Sequence, residues 1–159
     1  MEERIHELLL RNLQEVFGEG DPTKRRSAIK ELYTDDCVLY VPPGTFVGHD
    51  ALDKFAGDLR ATHPHFAYAP HAAPQALQNA GRLKWGSGPR GGVPAYTGED
   101  VIIVRDEKIA ALYVFLDSSR VIGLAGLLHR PKEEFNCHKA KGQYDNFRNR
   151  RQHTPGSVL

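Results

Sequence analysis

One carboxylate stands where the chain is otherwise apolar. Asp100 follows Thr97-Gly98-Glu99 and opens the run Val101-Ile102-Ile103-Val104. An aspartate at the mouth of such a strand either caps a turn or faces a pocket. In an apolar pocket its acid form is favoured, so it could donate a proton or a hydrogen bond at neutral pH. Other side chains could join it. Trp85 offers a flat apolar wall and one N–H donor. His63 and His65 flank a loop and could titrate near neutrality, which makes His63 the second acid/base candidate. His49 reads as an exposed neighbour of a helix cap.

Other patterns fall short of a site. Gly86-Ser87-Gly88-Pro89-Arg90-Gly91 satisfies G-x-G-x-x-G, but it runs into a strand and lacks the helix N-terminus that holds pyrophosphate, so it reads as a hairpin loop. His129, Cys137, His138 and His153 lack metal-ligand spacing, and no metal site is expected. The basic cluster Lys24, Arg25, Arg26 and Lys30 reads as a solvated helix face.

The elements that must position Asp100 follow from periodicity. Ile5, Leu8, Leu9, Asn12, Leu13, Val16 and Phe17 recur at helical spacing, predicting one amphipathic helix over 3–17, stopped by Gly18 and Gly20. Asp21 as N-cap and Pro22 at the first position start a second helix that reaches about Tyr33. After a turn at Asp35-Asp36, Cys37–Val41 is a strand halted by Pro42-Pro43-Gly44. A third helix starts near Asp50, carries Leu52, Phe55, Ala56 and Leu59 on one side, and ends before His63-Pro64. Phe66–His71, Ala76–Trp85, Thr97–Val104 and Ile109–Asp117 then read as four strands, the last two a hairpin about Arg105-Asp106-Glu107-Lys108. Three helices ahead of a mostly antiparallel sheet make an α+β protein.

Length and composition fit one soluble domain: 159 residues, 26% charged and 40% hydrophobic. No apolar run approaches the roughly 20 residues of a membrane span. The opening Met1-Glu2-Glu3-Arg4 lacks a signal-peptide layout, and two cysteines make no disulfide scaffold. Cytoplasm is the expected compartment, with neither membrane nor nucleic acid as partner. Residues 129–159 hold 7 Lys/Arg and 3 Asp/Glu, a net +4, while residues 1–128 hold 14 and 17, a net −3. The expected division is a body over 1–128 and a basic, mobile tail over 129–159.

Several fragments together resemble a known family. They are Leu32-Tyr33-Thr34-Asp35-Asp36-Cys37, Gly48-His49-Asp50-Ala51-Leu52, Arg82-Leu83-Lys84-Trp85, Gly98-Glu99-Asp100, Lys108-Ile109 and Phe115-Leu116-Asp117, spread over about residues 3 to 118. In order and spacing they resemble the SnoaL-like (polyketide-cyclase-like) branch of the nuclear-transport-factor-2-like superfamily. The resemblance implies a curved, cone-shaped sheet wrapped around three N-terminal helices, with a cavity for a hydrophobic small molecule. It implies a cofactor-free cyclase, isomerase or dehydratase, or else a non-catalytic ligand-binding or dimerisation module.

Measured against the ketosteroid isomerases of that fold, Asp100 matches their oxyanion-hole aspartic acid. Their general base falls at Val41 and their tyrosine near Leu13, and neither residue can do that work, so the steroid-isomerase route is not expected. Against limonene epoxide hydrolase, Gly98 stands in place of an arginine. The tyrosines and histidines of scytalone dehydratase could be mimicked by Tyr33, Tyr40, His63 and His65, although alternation turns Tyr40 away if Val41 faces the cavity. The resemblance places Leu39, Val41, Phe55, Trp85, Ile102, Leu112 and Val114 in the pocket lining. Tyr113, Phe115 and Asp117 then take the outer face of the sheet, where members of this fold form homodimers.

Overall fold

The computed structural model describes residues 1–117; the apolar run Val121–Leu128 and the tail over 129–159 lie outside the described residues. Helix α1 (Glu2–Arg11) buries Ile5, Leu8 and Leu9, as their spacing requires. It does not continue to residue 17 as α-helix. At Asn12 the backbone widens into a π-helical segment, Asn12–Phe17, and the Gly18 N–H donates to the Leu13 carbonyl five residues back at 3.0 Å. This wider turn buries Asn12 together with Leu13, Val16 and Phe17. Single π-turns inside helices often mark functional positions.

Helix α2 (Pro22–Leu32) starts as expected. The Asp21 carboxylate accepts from the Thr23 and Lys24 N–H groups at 2.8 and 3.3 Å, and Pro22 fills the first turn. Helix α3 (His49–Thr62) ends before His63-Pro64. Its Asp53 is buried and ties it to α2, accepting from Arg25 Nε at 2.7 Å and Arg26 Nε at 2.6 Å. Arg25, expected to be solvated, is 6% exposed. A wet basic face would place its guanidinium in water; the buried Asp53 carboxylate draws it inward instead.

The sheet consists of β1 (Tyr33–Val41), β2 (Gly44–Val47), β3 (Phe66–Pro70), β4 (Gln75–Leu77), β5 (Ala80–Pro89), β6 (Tyr96–Arg105) and β7 (Lys108–Leu116). Their order is β2-β1-β7-β6-β5-β3, with β4 also on β5. All neighbours are antiparallel except β1 and β7, which run parallel. With three helices against a curved mixed sheet, the fold is α+β, as read from the element order.

Several boundaries differ from the sequence reading. Tyr33 begins β1 instead of closing α2, and Asp35-Asp36 lie within that strand. The stretch 76–85 is not one strand. It turns back between β4 and β5, with Gln78 in the left-handed region at φ 54°. No glycine or proline announced that turn. Gly86–Pro89 extends β5 instead of forming a loop, because β3 and β6 pair with it on either side. Gly44–Val47, to which the sequence reading gave no element, is a short antiparallel partner for β1. Among the described residues no helix is long and apolar enough to cross a membrane.

Candidate functional site

Cross-strand register arranges the concave face in rungs. At the sealed end, Gly81 pairs with Ile102, Ile102 with Leu112, and Leu112 with Leu39. The next rung on this face is Leu83, Asp100 and Val114, and the one after it Trp85, Gly98 and Leu116. Then come Tyr68, Ser87 and Tyr96, with Ser87 facing both tyrosines across its two neighbours. Exposure grows along this direction. Leu39, Ile102 and Leu112 are sealed, whereas Val41, Val114, Leu116, Tyr68 and Tyr96 are half-buried and pack on the core's rim. At the β2 edge of the sheet Phe46, paired with Leu39, meets Phe55 of α3, their rings 4.8 Å apart.

Asp100 sits inside this gradient at 3% exposure. Trp85 Nε1 donates to its Oδ1 at 2.8 Å, and Asn12 Nδ2 donates to its Oδ2 at 3.3 Å. The Asn12 carbonyl oxygen in turn accepts from the Tyr33 hydroxyl. Every partner is neutral. Burial therefore dominates and pushes the carboxyl up to about 7, while the Trp85 and Asn12 donors oppose the rise. A displacement of this size disfavours the charged form by roughly 4 kcal/mol relative to water. Each carboxylate oxygen keeps a further lone pair, so two internal donors orient the group without exhausting it.

Gly98 makes the Trp85 contact possible. A Cβ at position 98 would lie 2.7 Å from the indole Cζ2, so the ring lies across Gly98 only because no side chain is there. From that bed its N–H reaches the next rung. The N–H that the sequence offered to a ligand is thus engaged by Asp100.

The other expected residues divide by depth. Leu39, Ile102 and Leu112 belong to the closed core, whereas Val41, Phe55 and Val114 stand nearer the open rim. His63 lies at that rim, stacked on Phe66 at 4.4 Å and edge-on to Tyr96 at 5.5 Å, its Nδ1 2.9 Å from Thr62 Oγ1. Arg60 Nη1 holds this corner by donating to the His63 and Phe66 carbonyls at 3.1 and 2.6 Å. The structure groups His63 with the rim aromatics, two rungs from Asp100. His49 is half-buried, with Nε2 at 3.0 Å from the Thr34 carbonyl, a structural contact between α3 and β1.

Asn12 is the residue that sequence reasoning passed over. The position of the ketosteroid isomerases' tyrosine falls near Leu13, one residue along, which carries no hydrogen-bonding group. The π-turn brings Asn12 to Asp100 instead. Its signal was a lone amide within the apolar stripe Leu8, Leu9, Leu13 and Val16. Tyr33 is sealed, and its phenol lies well above the ordinary value because burial, and then the Asp100 charge, disfavour the phenolate.

Outside the cone, α2 and α3 bound an open groove of about 960 Å³ lined by Arg25, Arg26, Lys30, Asp53, Lys54 and Arg60 among others. No group of three or more His, Cys, Asp or Glu side chains with metal-binding geometry occurs among the described residues.

The geometry has counterparts in known structures. A candidate isomerase of the SnoaL-like family from Agrobacterium tumefaciens superposes with a TM-score of 0.67 at 19% identity, covering 72% of this chain and 98% of its own. A candidate SnoaL-like polyketide cyclase from Jannaschia gives 0.60 at 12% identity, covering 73% and 87%. A de novo designed protein with a curved β-sheet gives 0.58 at 19% identity, covering 79% and 92%, so likeness at this level speaks for the fold alone. No curated protein matches the sequence. The family profile of the SnoaL-like domain matches residues 10–112, from the helical turn that carries Asn12 to the strand beside Asp100, and the chain belongs to that family.

Proposed function

We propose that this protein is a small-molecule enzyme acting by cofactor-free acid/base chemistry on a hydrophobic metabolite, in a cyclisation, isomerisation or dehydration. The observation that carries this reading is Asp100, buried, fixed by two neutral donors, and held near neutrality. In its acid form a carboxyl so placed can donate a proton or a hydrogen bond to a ligand oxygen. In its ionised form it can take a proton from a carbon beside a carbonyl, leaving an enolate and a neutral acid. It can then return that proton to another atom of the same molecule. Such a group works best when its pKa lies near the operating pH. The half-buried apolar rim of Val41, Phe55, Val114 and Leu116 suits a hydrophobic ligand.

A second reading has its own support. Both Asp100 oxygens already serve the protein's own donors, which fits a non-catalytic ligand-binding module. Asp100→Asn, tested on the metabolite that accumulates when the gene is deleted, separates the two. An enzyme should lose about 10²-fold or more in turnover, the usual worth of a positioned acid or base. A folded variant that converts this metabolite at the wild-type rate excludes the acid/base role.

The outer face of the sheet supports a homodimer. Tyr40 and Tyr113 stack there at 4.5 Å with planes 10° apart, and Phe115 beside them is 59% exposed. Sedimentation at micromolar concentration should show a dimer that Phe115→Ser weakens. A species of monomer mass alone rules this interface out.

A further inference from the structure

A carbonyl-bearing ligand at Asp100 needs a hydrogen-bond donor, and the two residues nearest to that role are spoken for. Trp85 Nε1 donates to Asp100, and Tyr33 donates to Asn12 from a sealed position. Tyr68 differs from both. It sits on β3 directly opposite Ser87, so it projects onto the same concave face as Ser87 and Trp85. Its ring packs 5.7 Å from the indole that covers Gly98, which brings the phenol alongside the rung leading to Asp100. It is half-buried, on the side where the face opens.

The geometry points to Tyr68 as the hydrogen-bond donor that meets a ligand carbonyl oxygen in this site. The assignment rests on the acid/base reading of Asp100 and adds the ligand's chemistry: an apolar body carrying a carbonyl group. Ser87 is 3% exposed and cross-paired with Tyr68. Burial raises the Tyr68 phenol to about 12 against the pull of Ser87, so at neutral pH it is a donor and not a phenolate. During proton transfer to Asp100 the carbonyl oxygen gains negative charge, and a fixed donor there lowers the barrier.

The test uses two probes of one shape, naphthalene and 2-acetylnaphthalene, bound to wild-type protein and to Tyr68→Phe. Only the second carries an acceptor. The expected result is a roughly fivefold to tenfold loss of 2-acetylnaphthalene affinity in the variant, the worth of one neutral hydrogen bond, with naphthalene unchanged within about twofold. The carbonyl stretch of the bound ketone should lie at lower wavenumber in wild type than in Tyr68→Phe, a shift that lost packing does not produce. Equal losses for both probes would make Tyr68 a wall and overturn the assignment. So would an unchanged ketone affinity, which leaves the pocket reading standing. If wild-type protein binds neither probe, the assignment and the hydrophobic-pocket reading fall together.

Discussion

Asp53 and Asp100 are the two buried aspartates among the described residues, at 6% and 3% exposure, and their surroundings send them in opposite directions. At Asp53 burial alone would raise the pKa. Arg26 and Arg25 outweigh it, and the carboxyl lies below its ordinary value. At Asp100 the donors are an indole and an amide, burial wins, and the carboxyl rises to about 7. The difference lies in the charge of the partners and not in depth. A carboxylate locked between guanidiniums has no accessible second protonation state near neutral pH, so it can only hold elements together. One held by neutral donors keeps both states within reach, which proton transfer requires.

The sharpest way to break this contrast is to remove Asp53. Asp53→Ala leaves Arg25 enclosed without its carboxylate, and losing one partner of a buried pair costs about 3–5 kcal/mol. The Arg26 half adds little, since that side chain is 69% exposed and screened by solvent. Urea unfolding at pH 7 should show the loss in full. A change under about 1 kcal/mol would mean that the pair does not join α2 to α3 as described. Asp53→Ala should also leave Asp100 titrating near 7, because no charged partner of Asp100 changes.

The contrast was half visible in the sequence. Asp100 drew attention as a carboxylate at the mouth of an apolar strand; two residues from Ile102 it shares that residue's face, which the family resemblance turned inward and which the structure buries. Its partners were not visible, because each depends on a fact beyond local pattern. Trp85 reaches it through cross-strand register and the empty space above Gly98. Asn12 reaches it because the helix changes pitch, and a 3.6-residue period cannot show where a π-turn enters. Arg25 looked solvated because charge on a helix usually is, and its reason for burial lies 28 residues away in α3. The fold itself was easier to read, since helix and strand periods repeat over many residues. Its errors fell on short elements, β2 and the β4–β5 turn, where too few residues carry any period.

The smaller effect concerns Asp100 and the pH dependence of stability. The folded pKa near 7 lies above the unfolded value of about 3.9, so between these limits the folded state holds more protons than the unfolded chain. Stability from this group is therefore greatest below about pH 4 and declines as pH rises through 7. Linkage puts the decline between pH 5 and pH 8 at roughly 2.5 kcal/mol. Asp53 has the opposite sign: its contribution is present above pH 4 and lost as pH falls through its lowered pKa, outside this window. Asp100→Asn keeps the shape and removes the titration. If the Asn12 amide turns over, its oxygen meets the new amide donor, and its NH2 turns to the Tyr33 hydroxyl, whose oxygen then accepts where its O–H had donated. Unfolding of wild type and variant at pH 5 and pH 8 should differ by that amount, with the variant gaining on wild type as pH rises. Parallel curves would show that Asp100 is ionised throughout, and its likeness to Asp53 would then be closer than its partners imply.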